Sequence, residues 1–188
     1  MSSPVSRRTF LGALAVGVPL LAAPSSALAT VLEPFVPLDP ATPRELRFIH
    51  THTGERLAVE YFAGGRYLTD ALDTVNHFLR DFRTGDVHVI DAGLLDLLHR
   101  LTRVTDTGKP FQVISGYRSP HTNAMLRQHS EGVASSSLHM KGQAIDIRLG
   151  DVPLARLRDA ALSIGRGGVG YYPASDFVHV DTGRVRRW

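Results

Sequence analysis

Gln143-Ala144-Ile145-Asp146-Ile147-Arg148-Leu149 sets apolar residues at alternate positions, the period of a strand with one buried face. Ile145, Ile147 and Leu149 share that face, and Asp146 points the other way between the two isoleucines. A carboxylate in mid-strand needs a cation or hydrogen-bond donors, because burying it unpaired is costly. Just upstream, Ser137-Leu138-His139-Met140-Lys141-Gly142 supplies a histidine, and Gly142 lets the chain turn back towards the strand. On His139 and Asp146 alone, a loop histidine with an ion-paired aspartate explains the pattern as well as a metal site does.

Asp176-Phe177-Val178-His179-Val180-Asp181 changes the balance. His179 alternates with Val178 and Val180, so it shares a strand face with Phe177 and Asp181. A single histidine so placed is ordinarily a satisfied core residue. Together with His139 and Asp146 it makes two imidazoles and one carboxylate, the three-ligand set of a catalytic zinc site with a fourth position left for water. The chain has no cysteine, so disulfides, thiolate metal sites and a cysteine nucleophile are excluded.

Upstream of these stretches, helical and extended periods separate cleanly. Residues 44–50 and 56–62 are β-rich runs around Thr53-Gly54, the pattern of a hairpin. Ala71, Leu72, Val75, Phe78, Leu79 and Phe82 form an apolar stripe that predicts a helix over 70–83, stopped by Arg83-Thr84-Gly85-Asp86. Leu94, Leu95, Leu98 and Leu101 predict a second over 91–104. A strand is expected over 111–116 and a short helix over 120–128. A helix over 153–164 closes at Gly165, and strands follow over 169–171 and 177–181. Helices precede most strands without regular βαβ alternation. The expected class is therefore α+β, a mainly antiparallel sheet flanked by helices with the zinc site on the sheet.

S-x-H-x-x-G-x-A-x-D followed by D-x-x-H resembles the zinc site of the D-alanyl-D-alanine carboxypeptidase and murein endopeptidase (M15) superfamily. Ser137, His139, Gly142, Ala144 and Asp146 occupy every fixed position of its first motif. From about residue 44 to 188 the chain resembles the YcbK-like murein endopeptidases. The supporting stretches are His52-Thr53-Gly54-Glu55, Leu79-Arg80-Asp81-Phe82-Arg83-Thr84-Gly85 and Gly168-Val169-Gly170-Tyr171-Tyr172-Pro173. The resemblance implies zinc held by His139, Asp146 and His179. It also implies a general base at Asp176, where many relatives carry glutamate, and an arginine directed at the substrate carbonyl, Arg118 in Ser115-Gly116-Tyr117-Arg118. Asp181 shares the face of His179 and is a candidate to orient a ligand imidazole. Ser137, Tyr171, Tyr172 and His121 are candidates for the substrate groove or for support of the ligands, whereas His50 and His52 read as structural. The implied substrate is peptidoglycan, cut by water at amide bonds of its peptide cross-links. A carboxypeptidase trimming terminal D-amino acids is the rival enzyme. A hedgehog-type domain, which keeps a similar zinc site yet serves as a receptor ligand, is the rival without catalysis.

The composition is ordinary for a soluble domain, 43% hydrophobic and 21% charged over 188 residues. The net charge of +3 includes Arg7 and Arg8 in an acid-free leader. Without residues 1–29 there remain 19 basic and 18 acidic residues, or +1, which gives no electrostatic case for nucleic acid. Arg184, Arg186 and Arg187 read as a solvated basic end. Ser6-Arg7-Arg8-Thr9-Phe10-Leu11, an apolar run to Ala23 and Ala27-Leu28-Ala29 resemble a twin-arginine signal with a small-residue cleavage site. The run is short of the ~20 apolar residues needed to span a bilayer. The expected organisation is a signal over 1–29, a proline-rich lead-in over 30–43 and a zinc peptidase domain over 44–188. The protein is expected to be periplasmic with no stable membrane insertion after cleavage; an uncleaved anchor is the alternative.

Overall fold

The computed structural model describes residues 38–129 and 132–188, so the expected signal segment and residues 30–37 of the lead-in lie outside it. In chain order the elements are β1 (Arg44–His50), β2 (Arg56–Ala63), β3 (Arg66–Tyr67), α1 (Thr69–Phe78), α2 (Ala92–Thr105), β4 (Phe111–Ser115) and α3 (Pro120–His129). A 3₁₀ turn (Leu138–Lys141), β5 (Ala144–Arg148), α4 (Leu154–Ile164), β6 (Gly168–Tyr172), a second 3₁₀ turn (Pro173–Ser175), β7 (Phe177–Asp181) and β8 (Arg186–Arg187) complete the domain. Among the described residues, no helix is long and apolar enough to cross a membrane.

The strands form one sheet in the order β3-β2-β1-β4-β5-β7-β6-β8. It is mixed rather than mainly antiparallel: β1 pairs parallel with β4, and β6 with β8. The first parallel pair has a physical cause. Between β1 and β4 the chain completes a hairpin and then both α1 and α2, a crossover long enough to return it to the starting edge. The class stays α+β, with helices packed on the sheet.

The apolar stripes explain the packing. Leu94, Leu95, Leu98 and Leu101 of α2 are fully buried, and the Asp91 side chain caps the helix by accepting from Gly93 N at 2.8 Å. They meet Val75 and Phe78 of α1, Leu157 and Ala161 of α4, and the inner sheet face of Leu46, Phe48, Phe111, Val113, Ile145, Ile147, Val178 and Val180. The first helix stops at Phe78, short of the expected 83. Beyond it Leu79 stays buried, but its carbonyl accepts from Tyr117 N and Asp81 N donates to Asp86 O. Contacts with the 115–119 loop thus replace the last helical turn.

Strands β5 and β7 pair so that Ile145 faces Val180 and Ile147 faces Val178, while Asp146 faces His179. The alternation that buries four aliphatic side chains under the helices therefore sets Asp146 and His179 side by side on the opposite face.

Candidate metal centre

His139 reaches this face from the 3₁₀ turn. Ser137 starts that turn by accepting from His139 N, and Gly142 ends it at φ +65°. A Cβ at Gly142 would lie 2.1 Å from Val89 O, so this motif position takes glycine for both its backbone angle and the close approach. Its carbonyl accepts from Asp91 N, tying the turn to the start of α2.

His139 Nε2, His179 Nδ1 and Asp146 Oδ1 form a triangle with sides of 3.1, 2.9 and 3.3 Å. All three residues are buried. His139 Nδ1 donates to the Gly116 carbonyl at 2.7 Å, and His179 Nε2 donates to Asp181 Oδ2 at 3.0 Å. A carbonyl and a carboxylate only accept, so these bonds place each ring proton on the nitrogen outside the triangle. In the neutral imidazoles, two nitrogen lone pairs and a carboxylate oxygen then converge. Tetrahedral ligands about 2.0–2.1 Å from a zinc ion stand roughly 3.3 Å apart, close to the sides of this triangle. The donor set therefore fits a divalent metal.

The electrostatics agree. Burial alone would raise the Asp146 carboxyl, but the His139 and His179 imidazoles hold it well below the usual carboxylate range. Burial would likewise lower His179, yet Asp146 and Asp181 lift it to about 8. Each group favours positive charge in the triangle, which a proton or a metal cation supplies.

Arg118 stands at the rim. Its backbone N donates to His139 O at 3.2 Å, so the loop that orients the His139 ring also aims the arginine. Asp81 anchors that loop by accepting from Ser119 N. The guanidinium lies 3.7 Å from Asp146 Oδ2 and 3.5 Å from Asn123 Oδ1, both long contacts, and its buried Nε has no hydrogen-bond partner. Burial lowers its pKa while Asp146 opposes the shift, and guanidinium stays charged throughout. This is a fixed cation with donors to spare beside the triangle.

Asp181 is fully buried and committed. One oxygen accepts from Gly168 N and Gly183 N, the other from His179, and Arg186 bridges both. Arg186 is thus a structural partner of the site, not part of a solvated end. With no free lone pair aimed at the triangle, Asp181 acts by holding the His179 ring. Asp181→Asn is expected to weaken metal affinity about 10- to 100-fold while leaving stoichiometric binding at saturation, read by titration against a competing chelator.

Other expected residues separate. Tyr172 stacks on Phe177 at 4.5 Å and accepts from Trp188 Nε1 at 2.6 Å, and the Trp188 ring lies 5.2 Å from that of His179. This aromatic wall stands where Gly170 faces His179, because a Cβ there would meet both rings at 2.8 Å. Tyr171 faces Val178 on the other side of the sheet and packs on the core under Arg158. His121 is exposed in the first turn of α3. His50 is buried against Phe78 and Phe82, in keeping with a structural role.

Asp176 is not brought into the triangle. It sits in a left-handed turn (φ 53°) ahead of β7, and its exposed carboxylate pairs with Arg148 Nη1 at 2.6 Å. Sequence reading missed Arg148, Trp188 and the Gly116 carbonyl. Only Arg148 carried a signal, its place two residues beyond Asp146 on an alternating strand.

The chain is a peptidase of the M15 class, as comparison with known proteins shows. It belongs to the Peptidase_M15_2 family, described as "Peptidoglycan L,D-endopeptidase MepK", whose profile matches residues 39–188. It is 47% identical over 178 residues to the Escherichia coli K12 protein "Peptidoglycan L,D-endopeptidase MepK", covering 95% of this chain and 93% of that one. The Shigella flexneri protein of that name matches to the same extent. The Haemophilus influenzae "Probable peptidoglycan L,D-endopeptidase MepK" is 42% identical over 179 residues, covering 95% of this chain and 91% of its own.

Proposed function

We propose that this protein is a zinc-dependent peptidoglycan endopeptidase that hydrolyses amide bonds in peptide cross-links, with the L,D preference that its relatives' names carry. The observation that supports it most is the convergence of His139 Nε2, His179 Nδ1 and Asp146 Oδ1, their protons directed away. A metal bound there supplies Lewis-acid polarisation and lowers the pKa of water. The donor set of two nitrogens and one oxygen, without sulfur, suits zinc.

The chain's own groups then have distinct tasks. Gly116 O and Asp181 hold the two imidazoles in their tautomers and orientations. Arg118 offers its loosely held Nη groups to the carbonyl oxygen as negative charge develops on it. Trp188 and Tyr172 wall the site beside His179. Residues 1–29 direct export by the twin-arginine route, so the enzyme works in the periplasm, where its polymer lies. Purified mature protein is expected to release soluble muropeptides from sacculi, to stop with a chelator and to recover with added zinc. Release only of single terminal D-amino acids would identify a carboxypeptidase. A zinc-bound protein that cuts no wall bond would leave a binding module.

A further inference from the structure

We propose that Arg148 is the recognition residue for a free carboxylate on the peptide substrate, and that Asp176 occupies its guanidinium when substrate is absent. The inference rests on the peptidoglycan reading and adds to it a specificity subsite.

The placement follows from strand geometry. Arg148 lies two residues beyond Asp146 on β5, so both side chains leave the same face of the sheet, about 7 Å apart along the strand. A peptide with its scissile bond at the triangle would set a neighbouring substituent within reach of this arginine. The side chain is preorganised: its Nε donates to Gln112 Oε1 at 2.8 Å, and Gln112 pairs with Arg148 across the β4–β5 ladder. Gln112 thereby fixes one edge of the guanidinium and leaves the Nη groups facing outward.

What meets them is a carboxylate. Asp176 Oδ2 accepts from Arg148 Nη1, through one oxygen only, where a guanidinium can hold a carboxylate through two. The pair is open to water, with side-chain exposures of 35% for Arg148 and 63% for Asp176, so it is weak and exchanges readily. Asp176 reaches it from a left-handed backbone, a conformation that aspartate tolerates better than most residues. Around the pair is a cavity of about 350 Å³, with Leu149, Val152 and Leu154 lining it beside Gln112, Arg148 and Asp176. The exposed lining is mainly polar, and one oriented cation within it suits a carboxylate.

Wall peptides offer that chemistry. Where links run through side-chain amines or carboxyls, backbone carboxylates are left free. A subsite reading such a carboxylate beside the scissile bond would separate these peptides from ordinary polypeptide, whose internal α-carboxyls are consumed in amides. Asp176 then resembles the ligand group, which accounts for a carboxylate at this position that stands outside the metal triangle.

The test uses the mature metal-loaded protein and one cross-linked muropeptide in two forms, with its free carboxylates intact or converted to carboxamides. The parent should prefer the acid form by about 10- to 100-fold, the value of a charge-assisted hydrogen-bonded pair. Arg148→Ala should keep its metal and nearly its kcat, raise KM for the acid form by a similar factor, and treat the two forms alike. Arg148→Lys should restore part of the preference. Asp176→Asn removes the competing carboxylate and should lower KM or leave it unchanged, with kcat retained. Calorimetry of the same two ligands on chelator-treated protein reads binding without turnover. If acid and amide bind the parent equally, or Arg148→Ala keeps the preference, the subsite is refuted. A collapse of kcat in Asp176→Asn with KM untouched would also overturn it, since Asp176 would then act on the reacting bond. Preferential binding of the acid form by a parent that cuts nothing would leave the subsite standing and remove the endopeptidase reading instead.

Discussion

His179→Ala is expected to abolish both stoichiometric metal and murein digestion. The parent should carry about one zinc per chain, as a three-ligand catalytic site requires. His179 is the member of the triangle whose loss cannot be covered locally. It stands directly opposite Asp146 in the β5–β7 ladder, and Gly170 on its other side has no side chain to offer. Asp181 cannot move in, because both its oxygens are held by Gly168, Gly183 and Arg186. The fold should survive, since the face under the helices, Ile145, Ile147, Val178 and Val180, is untouched. Elemental analysis and far-ultraviolet circular dichroism on one preparation separate loss of metal from loss of fold. Full zinc retention would show that the triangle is not the metal site. The contrast with Asp181→Asn is diagnostic, because removing a ligand should end binding while releasing its ring should only weaken it.

Legibility in the sequence followed the range of the interaction. The period-2 pattern of β5 and β7 placed Asp146 and His179 on faces opposite their aliphatic neighbours, and the ladder register put them opposite each other. The stripe of α2 was legible for the same reason, and α4 was marked locally by Gly165 at its end. The stripe of α1 ran past its end, because Leu79 and Phe82 are apolar for tertiary reasons: Leu79 is buried beside the 115–119 loop and Phe82 stacks on His52 at 4.3 Å. Periodicity does not distinguish those contacts from another helical turn. Sheet direction was missed because parallel pairing of β1 with β4 depends on how a long crossover returns. The proton direction at His139 rests on Gly116 O, 23 residues away and with no side chain to mark it. The base role expected of Asp176 came from the family resemblance, not from the local pattern. Asp176 precedes β7, and its left-handed turn aims the carboxylate at Arg148.

Arg118→Ala is expected to leave zinc bound and cut kcat by about 10²- to 10³-fold, the usual cost of losing one preorganised oxyanion donor. Arg118 is no metal ligand. Its nearest approach to the triangle is the 3.7 Å contact with Asp146 Oδ2, so metal content should change little. A purely structural role would need saturated hydrogen bonds, whereas Nε is buried and unpartnered and the Asn123 contact is stretched to 3.5 Å. Holding a desolvated cation with so few bonds is unfavourable in the resting protein, and an oxygen that becomes negative during the reaction relieves it. KM should therefore move less than kcat. Arg118→Lys should recover only part of the loss, because an ammonium supplies the charge without the planar fork. Asn123→Ala is the control: it removes the weak tether and should cost far less than removing the guanidinium. Steady-state kinetics on a purified cross-linked muropeptide, with metal content measured for each variant, decides the matter. Near-normal kcat in Arg118→Ala would show that the guanidinium serves only to balance the charge of Asp146, and the oxyanion would have to be stabilised by another group.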